Sequence, residues 1–430
     1  MGLDHDRRAA MLAELHARPS PRLTVPSRAV HLGLKVPQRA ANRDRALDIE
    51  QLVAISGEQL MVGQDGLEPA GRHHTFHRGA YRVVWDSHAE FVSYSGFATG
   101  SQEDRGPFDP EADHLFPAEW LSAWPTRRIA AVQVEVLAMP DDPIRQLRRW
   151  LDPTRTVAST VLGASVVIAS DFVMTANGWT RFVVFADPAT GPGRLGRVVQ
   201  RLLDIETYRA MAMLGYPRAQ QLNRTLAQLE PRIVELVAEL GDEARPAEEA
   251  LHDLLSVTED LEALSMHHDF RAGATLAYDA IVVDRLRALN ENRYAGRQLI
   301  RDFLNRRYRP AIRTVESTQS RLLRRLEQVD RAGDLLRTRV DVARQAQNQR
   351  VLESMDRRAE TQLRLQHTVE GLSVVAISYY TLGLLSYLMA PVVNAAGIEK
   401  EWLMAVLTPL VLLGAWLGMR WLRSRIHRHE

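Results

Sequence analysis

The sequence predicts an α+β cytoplasmic domain followed by a helical region, a long stalk helix and two C-terminal transmembrane helices. Three observations predict it. Short β-branched and aromatic runs are confined to residues 1–190, apolar residues at helical spacing dominate 191–310, and two uncharged apolar runs close the chain. With 430 residues, 46% hydrophobic and 25% charged, the chain can bury a sizeable core in two or three modules. Basic and acidic side chains number 54 and 53. That balance lacks the positive field with which proteins gather nucleic acid, so nucleic acid is not an expected partner. The absence of cysteine excludes disulfides, thiolate metal sites and cysteine nucleophiles.

At the N-terminus, Asp4, His5 and Asp6 are followed by no apolar run, so no cleavable signal segment is expected. Residues 30–36 read as a strand, 80–85 and 90–95 as a hairpin around Asp86, Ser87 and His88, and 129–138 as an alternating strand. Residues 161–169 and 181–185 complete the strands. Helical patterns at 43–55 and 144–151 fall between them and make 1–190 an α/β or α+β domain. The helical region then holds segments 195–214, 218–240, 247–266 and 275–308, separated at Pro217, at the 241–246 stretch and at Pro310.

Beyond Pro310, Val315, Leu322, Val329, Leu336 and Ala343 recur every seven residues, with Leu326 and Val340 beside them. This is a coiled-coil-like seam whose partner is a second copy or the helix's own domain. The stalk, 311–370, would extend about 90 Å at ~1.5 Å per residue.

The run 371–390 carries no charged residue and matches the ~30 Å hydrocarbon core as transmembrane helix 1. A periplasmic loop, 391–401, leads to transmembrane helix 2 at 402–419 and a basic tail at 420–430. Arg357, Arg358 and Arg364 precede the first span, and Arg420, Arg423, Arg425 and Arg428 follow the second. Arginine on both flanks puts both termini in the cytoplasm, with membrane lipid as a partner. Trp402, Trp416 and Trp421 suit the interface.

Residues 14–19 (ELHARP), Pro26, residues 30–34 (VHLGL) and residues 203–217 (LDIETYRAMAMLGYP) resemble the bacterial membrane-anchored family called domain of unknown function 3422. That resemblance covers the whole chain and implies no reaction. The layout is also similar to the CorA-type magnesium channel family, whose resemblance implies a homo-oligomer with the first span lining a pore. The Gly-Met-Asn signature of that family is absent: Tyr387, Leu388, Met389, Ala390 and Pro391 stand there, and the nearest asparagine is Asn394.

Ser373, Tyr380, Tyr387 and Asn394 lie on one face of the first span next to Gly383, a stripe that either lines a wet pore or packs helices together. Gly414 and Gly418 form a GxxxG pair in the second span. Glu399 and Glu401 would make an acidic ring around an oligomer axis, attracting an inorganic cation. Gly191, Gly193 and Gly196 match GxGxxG between a strand and a helix, but only helices follow, so the βαβ unit is incomplete and a weak anion site is what remains. His73 and His77 are too far apart along a strand to share an ion, and His267, His268 and Asp269 point in different directions. His16 and Arg18 suit an N-terminal arm docked on the sheet or a functional polar pair. No catalytic residue, metal site or cofactor is assigned. The expectation is a homo-oligomeric inner-membrane protein conducting or regulating ion passage; the alternative is a membrane-tethered cytoplasmic scaffold or sensor without transport.

Overall fold

The computed structural model describes residues 20–38, 40–58, 72–100, 108, 112–241, 245–396 and 400–426. The chain forms two compact units, Met1–Arg245 with His252–Gly333, and Pro246–Leu251 with Asp334–Glu430.

The first unit is built on a nine-stranded sheet: β1 (Ser27–Lys35), β2 (His73–Arg78), β3 (Tyr81–Ser87), β4 (Val92–Thr99), β5 (Arg127–Ala138), β6 (Val157–Val161), β7 (Val166–Ser170), β8 (Thr180–Ala186) and β9 (Asn292–Arg293). Their order is β2-β3-β4-β1-β5-β8-β7-β6-β9. Neighbours are antiparallel except β5 and β8, which run parallel. The helices are α1 (Arg45–Ser56), α2 (Ala112–Leu115), α3 (Ala118–Ser122), α4 (Pro143–Trp150), α5 (Pro192–Met213), α6 (Gly215–Ala238), α7 (Ala247–Leu289), α8 (Ile300–Arg307), α9 (Arg309–Ala396) and α10 (Lys400–Ile426).

Alternation along β1 divides the core. Val30, Leu32 and Leu34 face Leu52 and Ile55 of α1 and Trp120 of α3, while Ala29 joins Val132, Val134 and Val136 of β5 on the opposite side. On that opposite side α5 lays down Leu195, Val198, Val199, Leu202 and Leu203, and α7 adds Val282, Leu286 and Leu289. The helical region therefore shares a core with the sheet. Helix ends follow local chemistry. Asp44 caps α1 by accepting from the Ala46 amide at 2.9 Å, and left-handed Gly57 ends it. Asp142 caps α4, with Pro143 in its first turn.

Several predicted boundaries move. Asp86 and Ser87 belong to β3, and the hairpin turn lies after them. Residues 157–170 form two strands rather than one, because Leu162, Gly163 and Ala164 take positive φ and reverse the chain. Pro217 does not break the helices: it sits in the first turn of α6, where it needs no amide partner, and the break falls between Met213 and Gly215. A Cβ on Gly215 would overlap the Thr275 hydroxyl, so glycine is what lets α7 approach this corner. Residues 247–266 and 275–289 belong to one helix of 43 residues, since Gly273 costs only about 1 kcal/mol against the packing of so long an element. The predicted helix 275–308 ends at Leu289, where Asn290 adopts φ 48°. Glu291 then accepts from the Ile300 amide at 2.9 Å, the Arg301 amide at 3.2 Å and the Ser159 hydroxyl at 2.6 Å, which caps α8 and ties it to β6.

The seven-residue seam does not await a second copy along its first part. Val315, Leu322, Val329, Leu336 and Val340 are all buried by the chain's own atoms, and Ala343 is exposed.

In the second unit, the residues of α9 from Asp341 to His367 are exposed. α9 continues through Pro391 to Ala396, so most of the predicted loop is helical: one proline removes only one helical hydrogen bond from an apolar, helix-compatible stretch. Among the described residues, α9 is the one helix long and apolar enough to cross a membrane; the apolar part of α10, Met404–Gly418, is shorter.

Candidate functional site: a polar cleft on the sheet

On the α5 side of the sheet, strands β1, β4, β3 and β2 present polar residues where β5 presents valines. His31 on β1, Ser93 and Ser95 on β4, Arg82 and Asp86 on β3 and His73 on β2 line one wall of a cleft of about 330 Å³. The other wall is α5, whose Arg197, Arg201, Asp204 and Tyr208 recur at helical spacing beside its buried leucine and valine face. Arg285 of α7 closes one end, and Phe91 and Phe97 supply apolar surface.

The floor is a chain of hydrogen bonds with one consistent direction. Thr207 donates its hydroxyl proton to the Leu203 carbonyl at 2.8 Å, so its oxygen must accept from His31 Nε2, also at 2.8 Å. His31 Nδ1 is then the acceptor, and Ser95 donates to it at 2.8 Å. Burial, with a smaller contribution from His88, pushes the imidazole down to about 4. A neutral ring of such low basicity is a weak proton acceptor, so the Ser95–His31 pair fits positioning rather than nucleophilic catalysis. It turns the lone pairs of Ser95 toward the cleft.

The turn after β3 is held from two sides. Arg43 donates to the His88 carbonyl at 2.8 Å and the Ala89 carbonyl at 2.7 Å while pairing with Asp48 at 2.8 Å. Arg271 of α7 forms a buried ion pair with Glu90, which also accepts from Tyr278 at 3.2 Å. Together they place His88, whose ring stacks on Phe91 with centroids 4.1 Å apart.

The electrostatics are asymmetric. Asp204 accepts from Arg285 at 2.7 Å and from Gln200 at 2.9 Å, yet burial raises its carboxyl above the usual range. Arg201 is held below the usual arginine range by burial and by the guanidiniums of Arg197 and Arg285. Among the described residues, neither Arg197 nor Arg201 forms an ion pair. His73 is engaged by Asp86 at 2.9 Å.

The sequence profile described as "Protein of unknown function (DUF3422)" matches residues 3–426. The chain belongs to this family. No functionally curated protein matches it. Two of the segments that carry the DUF3422 resemblance meet in the cleft: residues 30–34 bring His31, and residues 203–217 bring Asp204, Thr207 and Tyr208. Residues 14–19, with His16 and Arg18, lie outside the described residues, but Ser20 and Pro21 immediately after them line the cleft.

Of the described residues singled out from sequence, His73 lines the cleft and the others lie elsewhere. A Cβ on Gly196 would overlap the Pro21 carbonyl, so this glycine admits the N-terminal segment against α5, while Gly191 and Gly193 face only the side chains of Arg194 and Arg197. Two further helices follow α5, so no dinucleotide fold forms around the glycines. Tyr380 and Tyr387 are exposed on α9, and the Ser373 hydroxyl donates back to the Val369 carbonyl. A Cβ on Gly383, Gly414 or Gly418 would meet nothing within 4 Å, so among the described residues none of them mediates a close helix approach. Asn394 lies within α9, Glu401 is exposed at the start of α10, and Glu399 lies outside the described residues. His73 and His74 take separate carboxylate partners, Asp86 and Glu58, and Asp269 accepts from Gln319. Among the described residues no cluster of metal-ligating side chains forms.

Sequence reasoning missed the cleft. Its traces were a histidine inside the apolar run 30–34, serines alternating with Val92 and Tyr94, and a polar stripe along α5.

Proposed function

We propose that this protein is a membrane-tethered sensor or scaffold of the bacterial inner membrane whose cytoplasmic unit binds a small molecule. The cleft between α5 and the polar half of the sheet carries this reading, because it gathers convergent polar groups of fixed orientation at a volume that suits a small ligand. Tethering is supported by the apolar end of α9, the shorter apolar part of α10 and the arginines beside both runs, a pattern that suits a membrane hairpin with cytoplasmic termini. Arg420, 5.3 Å from the Trp416 ring centroid, has the character of an interfacial anchor.

A second reading is the passage of an inorganic cation through a homo-oligomer of CorA-like layout. The observation favouring it is the exposed face of Tyr380 and Tyr387, which the chain itself leaves uncovered. Cysteines at positions 373, 380 and 387 that react with a membrane-impermeant thiol reagent would favour this reading, and silence there favours the tether.

Native mass spectrometry of the full chain in detergent tests the leading reading. A retained small molecule that is lost on substituting Ser95→Trp, which fills the cleft, is the expected result; retention by the folded variant would refute it. Reporters fused after Glu430 and inside 394–400 should report cytoplasm and periplasm respectively.

A further inference from the structure

We propose that the cleft is a phosphate site, and that its ligand is a small phosphomonoester whose organic part carries hydroxyl groups. The inference rests on the cleft's binding a small molecule at all, and adds which one by chemistry.

Charge comes first. Four guanidiniums, of Arg82, Arg197, Arg201 and Arg285, line the cleft with two carboxylates, Asp86 and Asp204. Both carboxylates are already engaged, by His73 and Arg285. Among the described residues this leaves a surplus of two positive charges, which matches a dianion. Arg197 and Arg201 are one helical turn apart, so their like charges are held together without a carboxylate between them among the described residues. Such an arrangement costs free energy that a bound anion would recover.

Shape comes second. The guanidiniums arrive from β3, α5 and α7, that is from different sides of one space. A tetrahedral phosphate offers three free oxygens to donors arriving from several directions, whereas a carboxylate offers two in one plane.

The rest of the ligand is set by Ser95. Its proton is committed to His31 Nδ1, so its oxygen faces the cleft as an acceptor. An acceptor is complementary to a ligand hydroxyl and not to a second anionic group. The phosphate therefore belongs against the guanidiniums of α5 and α7, and the hydroxyl-bearing part over β4.

Calorimetric titration of the full chain in detergent with ribose 5-phosphate, orthophosphate and succinate tests this. Ribose 5-phosphate is expected to bind most tightly, orthophosphate more weakly and succinate least. The double substitution Arg197→Ala, Arg201→Ala should weaken ribose 5-phosphate by about tenfold or more. Arg197→Lys with Arg201→Lys keeps the charge, removes the planar fork and should give an intermediate loss, a readout that serves even where the alanine pair does not fold. Failure of both phosphate probes, succinate binding as tightly as ribose 5-phosphate, or an affinity unchanged in both double variants would overturn the inference. A retained neutral molecule displaced by Ser95→Trp, together with silent phosphate titrations, would sink the phosphate site while leaving the small-molecule reading intact.

Discussion

The imidazole of His31 on β1 and the hydroxyl of Thr207 on α5 meet at 2.8 Å, so a hydrogen bond joins the sheet to the helix across 176 residues of sequence. Because Thr207 has already given its proton to Leu203, Nε2 is the donor in this bond, and Nδ1 of the neutral ring is left to accept from Ser95. Protonation would remove that acceptor and place a charge in a fully buried site.

Stability should therefore depend on pH. The folded-state value of His31, about 4, lies below the usual value of 6.5, so the unfolded chain takes up the proton first as pH falls. The contribution is fully present above pH 6.5 and is lost as pH drops toward 4, amounting to about 3 kcal/mol in all. Urea midpoints at pH 7.5 and 4.5 should differ more for the wild type than for His31→Gln. Equal pH dependence in the two would rule out His31 as the source.

The Arg271–Glu90 pair gives a second expectation. Both side chains are buried, at 8% and 2% exposure, and the pair fastens the β3–β4 turn to α7. Arg271→Ala leaves a buried carboxylate whose remaining partner is a tyrosine hydroxyl, and should cost about 3–5 kcal/mol. Adding Glu90→Gln should recover part of that loss, because the stranded charge disappears. A thermal melt of the two variants measures the difference; an additive loss would contradict it.

Glycine substitutions should separate the two ends of the GxGxxG stretch. Gly196→Ala collides with the Pro21 carbonyl and should lower the melting temperature, since backbone and not a flexible side chain must give way. Gly193→Ala meets only the end of the Arg197 side chain at 3.7 Å and should be nearly neutral, within about 1 kcal/mol. Equal losses at both positions would point to a role that the close approach does not explain.

Replacing Leu322 or Val329 by aspartate should unfold the first unit rather than dissociate an assembly. Both are buried by the chain itself, with 3% and 1% exposure, and a lone carboxylate there has no partner. Circular dichroism melts should shift strongly for either variant. A folded variant of unchanged melting temperature but reduced mass in native mass spectrometry would restore the intermolecular seam.

The fold class was legible because periodicity is local. Val30, Leu32 and Leu34 announce a half-buried strand, and the leucine and valine face of α5 announces a helix against it. The partner of a face is not local. Seven-residue spacing from Val315 to Leu336 is compatible with a second copy and with the chain's own helices, and only the folded chain distinguishes them. The cleft was hidden for a related reason. Ser93 and Ser95 opposite Val92 and Tyr94 read as the solvent side of an ordinary strand. What makes them a site is Arg197, Arg201 and Arg285 arriving from distant parts of the chain. Likewise Gly215 is an ordinary helix breaker in sequence, and its need to admit Thr275 is a property of packing alone.

The two-residue strand β9 has a consequence for synthesis. It pairs Asn292 and Arg293 with Thr160 and Ser159, and Glu291 bonds the Ser159 hydroxyl, so the outer edge of β6 is completed by residues made about 130 positions later. At ~5–20 residues per second the ribosome needs on the order of ten seconds to deliver them. Through that interval β6 is an open edge in a nascent chain whose other strands are already available to pair. Chains interrupted before residue 291 should keep this edge and associate through it, whereas those extended past α8 have closed it.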